Sequence, residues 1–140
     1  MYAYLISHDR KDIKTHTYIG VSGDFISRLK QHNAEEPGGP RITRRAAGNW
    51  KPIIILCLPK GRKFSSKVLK KEWKTSSRGL ESRIRKGFEL AKKYKVNIFI
   101  NKQKKSKIKI LNDLNARWND ENKIILNERE WKNVINGEDL

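Results

Sequence analysis

The chain has 140 residues, the length of one domain, with a single cysteine, which excludes an intrachain disulfide framework and a cysteine zinc site. It carries 32 Lys and Arg against 15 Asp and Glu, a formal net charge of +17, a load that opposes compaction unless a polyanion offsets it. The apolar run Tyr2 to Ile6 is too short for a signal peptide and no stretch approaches about twenty apolar residues, so the chain is expected to be soluble and intracellular, nuclear or cytoplasmic, not secreted, with no membrane partner.

Tyr2 to Ile6 reads as a first strand, His8 to His16 as a polar hairpin loop, and Thr15 to Val21 as the return strand, so that each arm carries a tyrosine, Tyr4 and Tyr18. Ser22-Gly23-Asp24 supplies a turn and an N-cap for a helix that starts at Phe25. On that helix Phe25, Leu29 and His32 share a face, and Arg28 lies one turn before His32, so two polar groups point the same way. Asn33 to Pro40 is a glycine- and proline-rich loop. It leads into Arg41-Ile42-Thr43-Arg44-Arg45, where small residues beside arginines would admit phosphates closely.

Trp50 to Leu58 is a near-continuous apolar run between Gly48-Asn49 and Pro59-Lys60-Gly61, which suits a strand buried on both faces, with Cys57 as core packing. Phe64 to Lys67 has cap chemistry and opens a second helix, on which Val68, Leu69, Glu72 and Trp73 make one face. A carboxylate on an apolar face must be paired, neutralised or bound to a metal, and the neighbouring Lys67, Lys70, Lys71 and Lys74 offer ion pairs. Leu80, Ile84, Phe88, Ala91 and Tyr94 form the apolar face of a third helix whose polar side includes Arg83, Arg85 and Lys86. Asn97 to Asn101 reads as a short strand, Lys102 to Lys109 as a basic turn, and residues 113–140 as a net negative tail.

The basic charge belongs to the middle of the chain. Residues 1–40 hold five basic and five acidic side chains, residues 41–95 eighteen against three, and residues 96–140 nine against seven. A nucleic acid is the polyanion that best explains such a concentration, with Arg41, Thr43, Arg44, Arg45, Lys67, Lys70, Lys71, Lys74, Arg83 and Lys86 as candidate contacts.

Taken together, Tyr4, Tyr18-Ile19-Gly20, Arg28, His32 and Glu72 stand in the order found in the GIY-YIG nuclease family. The branch most resembled is that of the Slx-type structure-specific endonucleases. Supporting this are the thirteen residues between Tyr4 and Tyr18, Arg28 to Asn33, Gly38-Gly39 followed by Thr43, and Glu72-Trp73. The first motif reads Tyr2-Ala3-Tyr4, and spacing and strand alternation assign the family tyrosine to Tyr4. The resemblance covers about residues 2–95 and implies an α+β fold. Its sheet would be small, three-stranded and mostly antiparallel, at about 2–7, 15–21 and 51–58, flanked by helices near 24–33, 65–76 and 79–95. Residues 1–95 would be the nuclease domain, and 96–140 an extension of unknown role packed on it.

The resemblance also implies a metal-dependent DNA endonuclease selective for flaps, forks and junctions in repair or recombination. Glu72 would hold one Mg²⁺ or Mn²⁺, and Arg28 would bind the scissile phosphate through its planar fork. Tyr4, with Tyr18 and His32 around the same water, would act as base or water positioner, which of the three being open. The RING-like zinc domain of the eukaryotic members cannot be built from one cysteine, which removes the usual platform for the family's scaffold subunit. A homodimer would suit an enzyme that cuts two strands. Two other classes fit the charge: a non-catalytic basic module that stacks bases on Trp50 and Trp73, and a sequence-specific GIY-YIG nuclease of the restriction or homing type.

Overall fold

The structure, a computed structural model, describes residues 1–58, 65–101, 104, 108–117 and 123–126. Strand β1 (Tyr2–Ser7) lies between β2 (Thr17–Ser22) and β3 (Lys51–Cys57) and is antiparallel to both. Helices α1 (Phe25–His32), α2 (Ser66–Thr75) and α3 (Gly79–Tyr94) follow the expected bounds to within two residues. Their starts are the ones the polar residues dictate. The Asp24 side chain accepts from Ser27 N at 3.1 Å and the Ser65 hydroxyl from Lys67 N at 3.2 Å, satisfying amide donors that a helix N-terminus leaves open.

The sheet is larger than the three strands expected. Strand β4 (Asn97–Asn101) pairs antiparallel with β3, which makes four antiparallel-paired strands, and β5 (Lys123–Leu126) adds on in parallel, giving the order β2-β1-β3-β4-β5. A five-residue segment with only three apolar residues carries little periodicity. Its place in the sheet is fixed by burial, with Ile98, Phe99 and Ile100 each at most 2% exposed. Helix α4 (Lys109–Arg117) follows, with Leu111 in the core. The turn at 59–61, Phe64, most of the basic turn at 102–107 and the tail from 127 lie outside the described residues. Among the described residues no helix is long and apolar enough to cross a membrane.

Strand alternation divides the core in two. Ala3, Leu5, Ile19, Ile54 and Leu56 face α2 and α3, where Leu69, Trp73, Ile84 and Phe88 cover them. Tyr4, Ile6, Ile55 and Phe99 face the other way, against Phe25, Ala46 and Trp50. The loop after α1 is drawn onto this second face by Asn33, whose Oδ1 accepts from Trp50 N at 2.9 Å and Gly48 N at 3.1 Å. Residues Arg41–Ala46 form a 3-10 helix rather than an open loop, and the Trp50 indole fixes it by donating to Thr43 O at 2.8 Å. Trp50 in this core and Trp73 in the other are both buried, so neither is available to stack on a base.

Tyr4 stands opposite Gly20 in the β1–β2 register. The Tyr4 ring runs across β2 just where a side chain at 20 would stand, because a Cβ there would fall on the Tyr4 hydroxyl. Glycine at this position is what lets a strand tyrosine reach past its neighbouring strand to α1.

Candidate active site

Tyr4 from β1, Tyr18 from β2 and His32 from α1 converge on the edge of the second core. Ring centroids are 6.5 Å apart for Tyr4–Tyr18, 5.7 Å for Tyr4–His32 and 4.8 Å for Tyr18–His32. Tyr4 and His32 are buried, whereas Tyr18 is half-buried and borders a groove open to solvent.

Hydrogen bonds fix the protonation of the buried pair. The Thr43 hydroxyl donates to Pro40 O at 2.9 Å. With its one hydrogen so placed, Thr43 Oγ1 can only accept at 3.0 Å from His32 Nδ1, which therefore carries the ring proton. His32 Nε2 is left with its lone pair, and the Tyr4 hydroxyl donates to it at 2.8 Å. Burial above all, then the charges of Arg28 and Lys70, hold the His32 pKa down to about 4, so the ring is neutral at pH 7. Burial, then the neighbouring Tyr18, pushes the Tyr4 phenol well above its usual range, against the pull of Arg28. Tyr4 at rest is thus a proton donor and not a phenolate.

Between pH 6.5 and about pH 4 the unfolded His32 binds a proton that the folded ring refuses, so stability is lost as pH falls through that window. Urea unfolding should show a loss of roughly 2 kcal/mol between pH 6.5 and pH 5. His32→Gln should flatten that part of the profile. A wild-type midpoint unchanged across it would mean that the ring is not buried neutral.

Positive charge surrounds the exposed side of the cluster. Arg28 Nη1 donates to Gln31 Oε1 at 2.7 Å and to Gly38 O at 3.2 Å, which holds the guanidinium between α1 and the glycine loop. Lys70 Nζ stands 6.0 Å from the centre of the Tyr18 ring. Its pKa is lowered by burial first and then by the nearby charges of Lys74 and Arg28.

Glu72 is not brought into this cluster. Its two carboxylate oxygens accept from Lys93 Nζ and Tyr94 OH, each at 2.8 Å, with Lys86 Nζ at 4.0 Å. The hydrogen bonds from Lys93 and then Tyr94 hold its pKa below the usual carboxylate value. Two residues along a helix are about 200° apart, so α2 turns Lys70 toward Tyr18 and Glu72 toward α3. The α2 face that packs is Leu69 and Trp73 alone, since Val68 is 58% exposed, and Glu72 flanks that face without being sealed in it. Each oxygen accepts a hydrogen bond and two ammonium groups lie beside them, so the carboxylate as arranged is neutralised by lysine rather than presented to a Mg²⁺ or Mn²⁺ ion.

The chain matches no family model and no curated protein sequence.

The remaining candidates divide by exposure. Arg41, Arg44, Arg45, Lys67, Lys71 and Lys74 are exposed cations, with Arg44 Nε tied to Gly39 O at 3.3 Å. Thr43 is fully buried against His32 and is a positioning residue, not a phosphate contact. Arg83 Nη1 donates to Thr17 Oγ1 at 2.8 Å, and Lys86 is shared between Glu72 and Glu89. Both are committed to holding α3 in place. No periodic signal links His32 to Thr43, because the chain between them is loop; the pairing follows from the way Asn33 and Trp50 fold that loop back.

Glu72→Gln should cost less than about 1 kcal/mol, since the Lys93 partner is more than half exposed and such pairs are screened by solvent. Equilibrium unfolding checks this, and a loss above 2 kcal/mol would mean that the pair is a buried strut.

Proposed function

We propose that the protein is an endonuclease that hydrolyses phosphodiester bonds in DNA, with the solvent side of the Tyr4–Tyr18–His32 cluster as its active site. One observation carries the reading. A half-exposed tyrosine is held against a neutral histidine of fixed tautomer, beneath Arg28 and Lys70, neither of which is ion-paired with a carboxylate among the described residues. A scissile phosphate would be held by Arg28 and Lys70, which oppose the negative charge that grows on its oxygens. The Tyr18 hydroxyl would place the attacking water. Tyr4, His32 and Thr43 form the hydrogen-bonded chain that keeps the cluster in place behind it. The order of these residues along the chain, shared with the GIY-YIG nucleases of Slx type, supports the same reading and suggests branched DNA in repair or recombination as substrate.

A second reading, a basic module that binds DNA without cutting it, is favoured by the Glu72 carboxylate being paired with Lys93 and by the buried, protonated state of Tyr4. Incubation with labelled duplex, single strand, 5′ flap, replication fork and four-way junction, in Mg²⁺ or EDTA, separates the two. Scission of branched forms supports the nuclease, with the EDTA arm reporting whether a metal is needed. Tight binding without scission of any form in either buffer supports the module.

Glu72→Gln belongs in the same assay. Cleavage at the wild-type rate is expected, because Glu72 faces α3; lost cleavage with intact binding would show that Glu72 reorganises to serve the bound substrate.

A further inference from the structure

A groove of about 640 Å³ opens beside Tyr18. One wall is the end of the β1–β2 hairpin from Lys14 to Ile19, the other is the end of α2 and the start of α3, and Ile42 of the 3-10 helix borders it. Three features set it apart. Its lining carries four cations, Lys14, Lys74, Arg78 and Arg83, and no carboxylate. It holds apolar surface that the fold does not need, since Ile42 is 53% exposed and is one of only three large apolar side chains so exposed among the described residues. Arg83 Nε is buried on its edge and meets no acceptor among the described residues. A polar rim of one sign around apolar and aromatic surface matches a ligand that joins a flat ring to a phosphate.

We infer that this groove seats an unpaired nucleotide of the strand that enters the Tyr18 site. Lys74 and Arg78, at the ends of the two helices, take the flanking phosphates, and the base lies against Ile42, Leu80 and the Tyr18 ring. A paired base cannot enter, because its faces are covered by its neighbours in the stack. The groove therefore provides the preference for branched or single-stranded DNA that the nuclease reading calls for, and the inference rests on that reading for its choice of strand.

The test is a binding measurement in EDTA, independent of cleavage. The probes are a duplex bearing one unpaired 2-aminopurine nucleotide as a 5′ flap and a fully paired duplex with the same number of phosphates. With wild-type protein the 2-aminopurine fluorescence should fall on binding as the base stacks. Arg78→Ala and Ile42→Ser, both exposed positions, should each weaken flap binding about tenfold and reduce the fluorescence change, with fully paired duplex bound to within about twofold of wild type. Equal weakening on both probes, or no fluorescence change with wild-type protein, overturns the seat. If the seat behaves as expected and no substrate is ever cut, the nuclease reading fails while the groove stands. Cutting without a fluorescence response shows the reverse.

Discussion

Arg28→Ala is expected to lower the rate of strand scission by roughly two to three orders of magnitude, the usual cost of removing one preorganised group from a developing oxyanion. The Arg28 guanidinium is held by Gln31 Oε1 and Gly38 O, so it need not be ordered when substrate arrives. Its field already reaches the cluster, since it lowers the pKa of Tyr4, His32 and Lys70 alike. Lysine at 28 should restore the charge but not the planar fork, and recover only part of the rate. Single-turnover cleavage of a labelled flap measures this. Folding is little changed in the expected outcome, because Arg28, midway along α1 and only half-buried, packs in neither core cluster and its removal relieves repulsion on Lys70. A variant that cuts within threefold of wild type would remove Arg28 from the active site.

Trp73→Ala should be the most damaging single change to stability, at about 3–5 kcal/mol. The ring is fully buried between the sheet and α3, close to Gly87, and its indole donates to Arg83 O at 2.8 Å. Truncation leaves a cavity and removes the indole's added hydrogen bond to the Arg83 carbonyl, and both costs fall on the contact that fixes α2. Urea unfolding gives the value directly, and a loss below 1.5 kcal/mol would contradict the packing of α2 against α3. Because α2 carries Lys70, the same variant should also weaken whatever Lys70 holds.

The parts of the fold that could be read from residues alone were those governed by neighbours in the chain. Asp24 and Ser65 mark helix starts because capping is local, and the tyrosine-bearing hairpin is legible because alternation and a polar loop occur within twenty residues. Tyr4, Tyr18 and His32 meet as the family resemblance, and not their spacing, implies, and Arg28 shares their surroundings. What could not be read depends on contacts between distant segments. The segment 97–101 is legible as a strand, but its place in the sheet is set only when β3 pairs with it, and Thr43 is placed only when Asn33 and Trp50 fold its loop beneath α1. Glu72 shows the limit most clearly. Its place near apolar residues signals an unusual carboxylate, but periodicity cannot say which flank of α2 it takes, and that is set by Lys93 and Tyr94, 21 and 22 residues later. Thr43 shows the opposite case: a residue taken for a phosphate contact is fully buried and fixes the tautomer of His32.

The most direct test is the scission of a labelled 5′ flap by wild-type protein and by the Tyr18→Phe, Arg28→Ala double variant, each at a concentration that saturates the substrate. Wild type should cut, the double variant should not, and both should remain bound. Equal cutting by the two proteins, or saturated binding with no cutting by either, would contradict an active site at Tyr18 and Arg28.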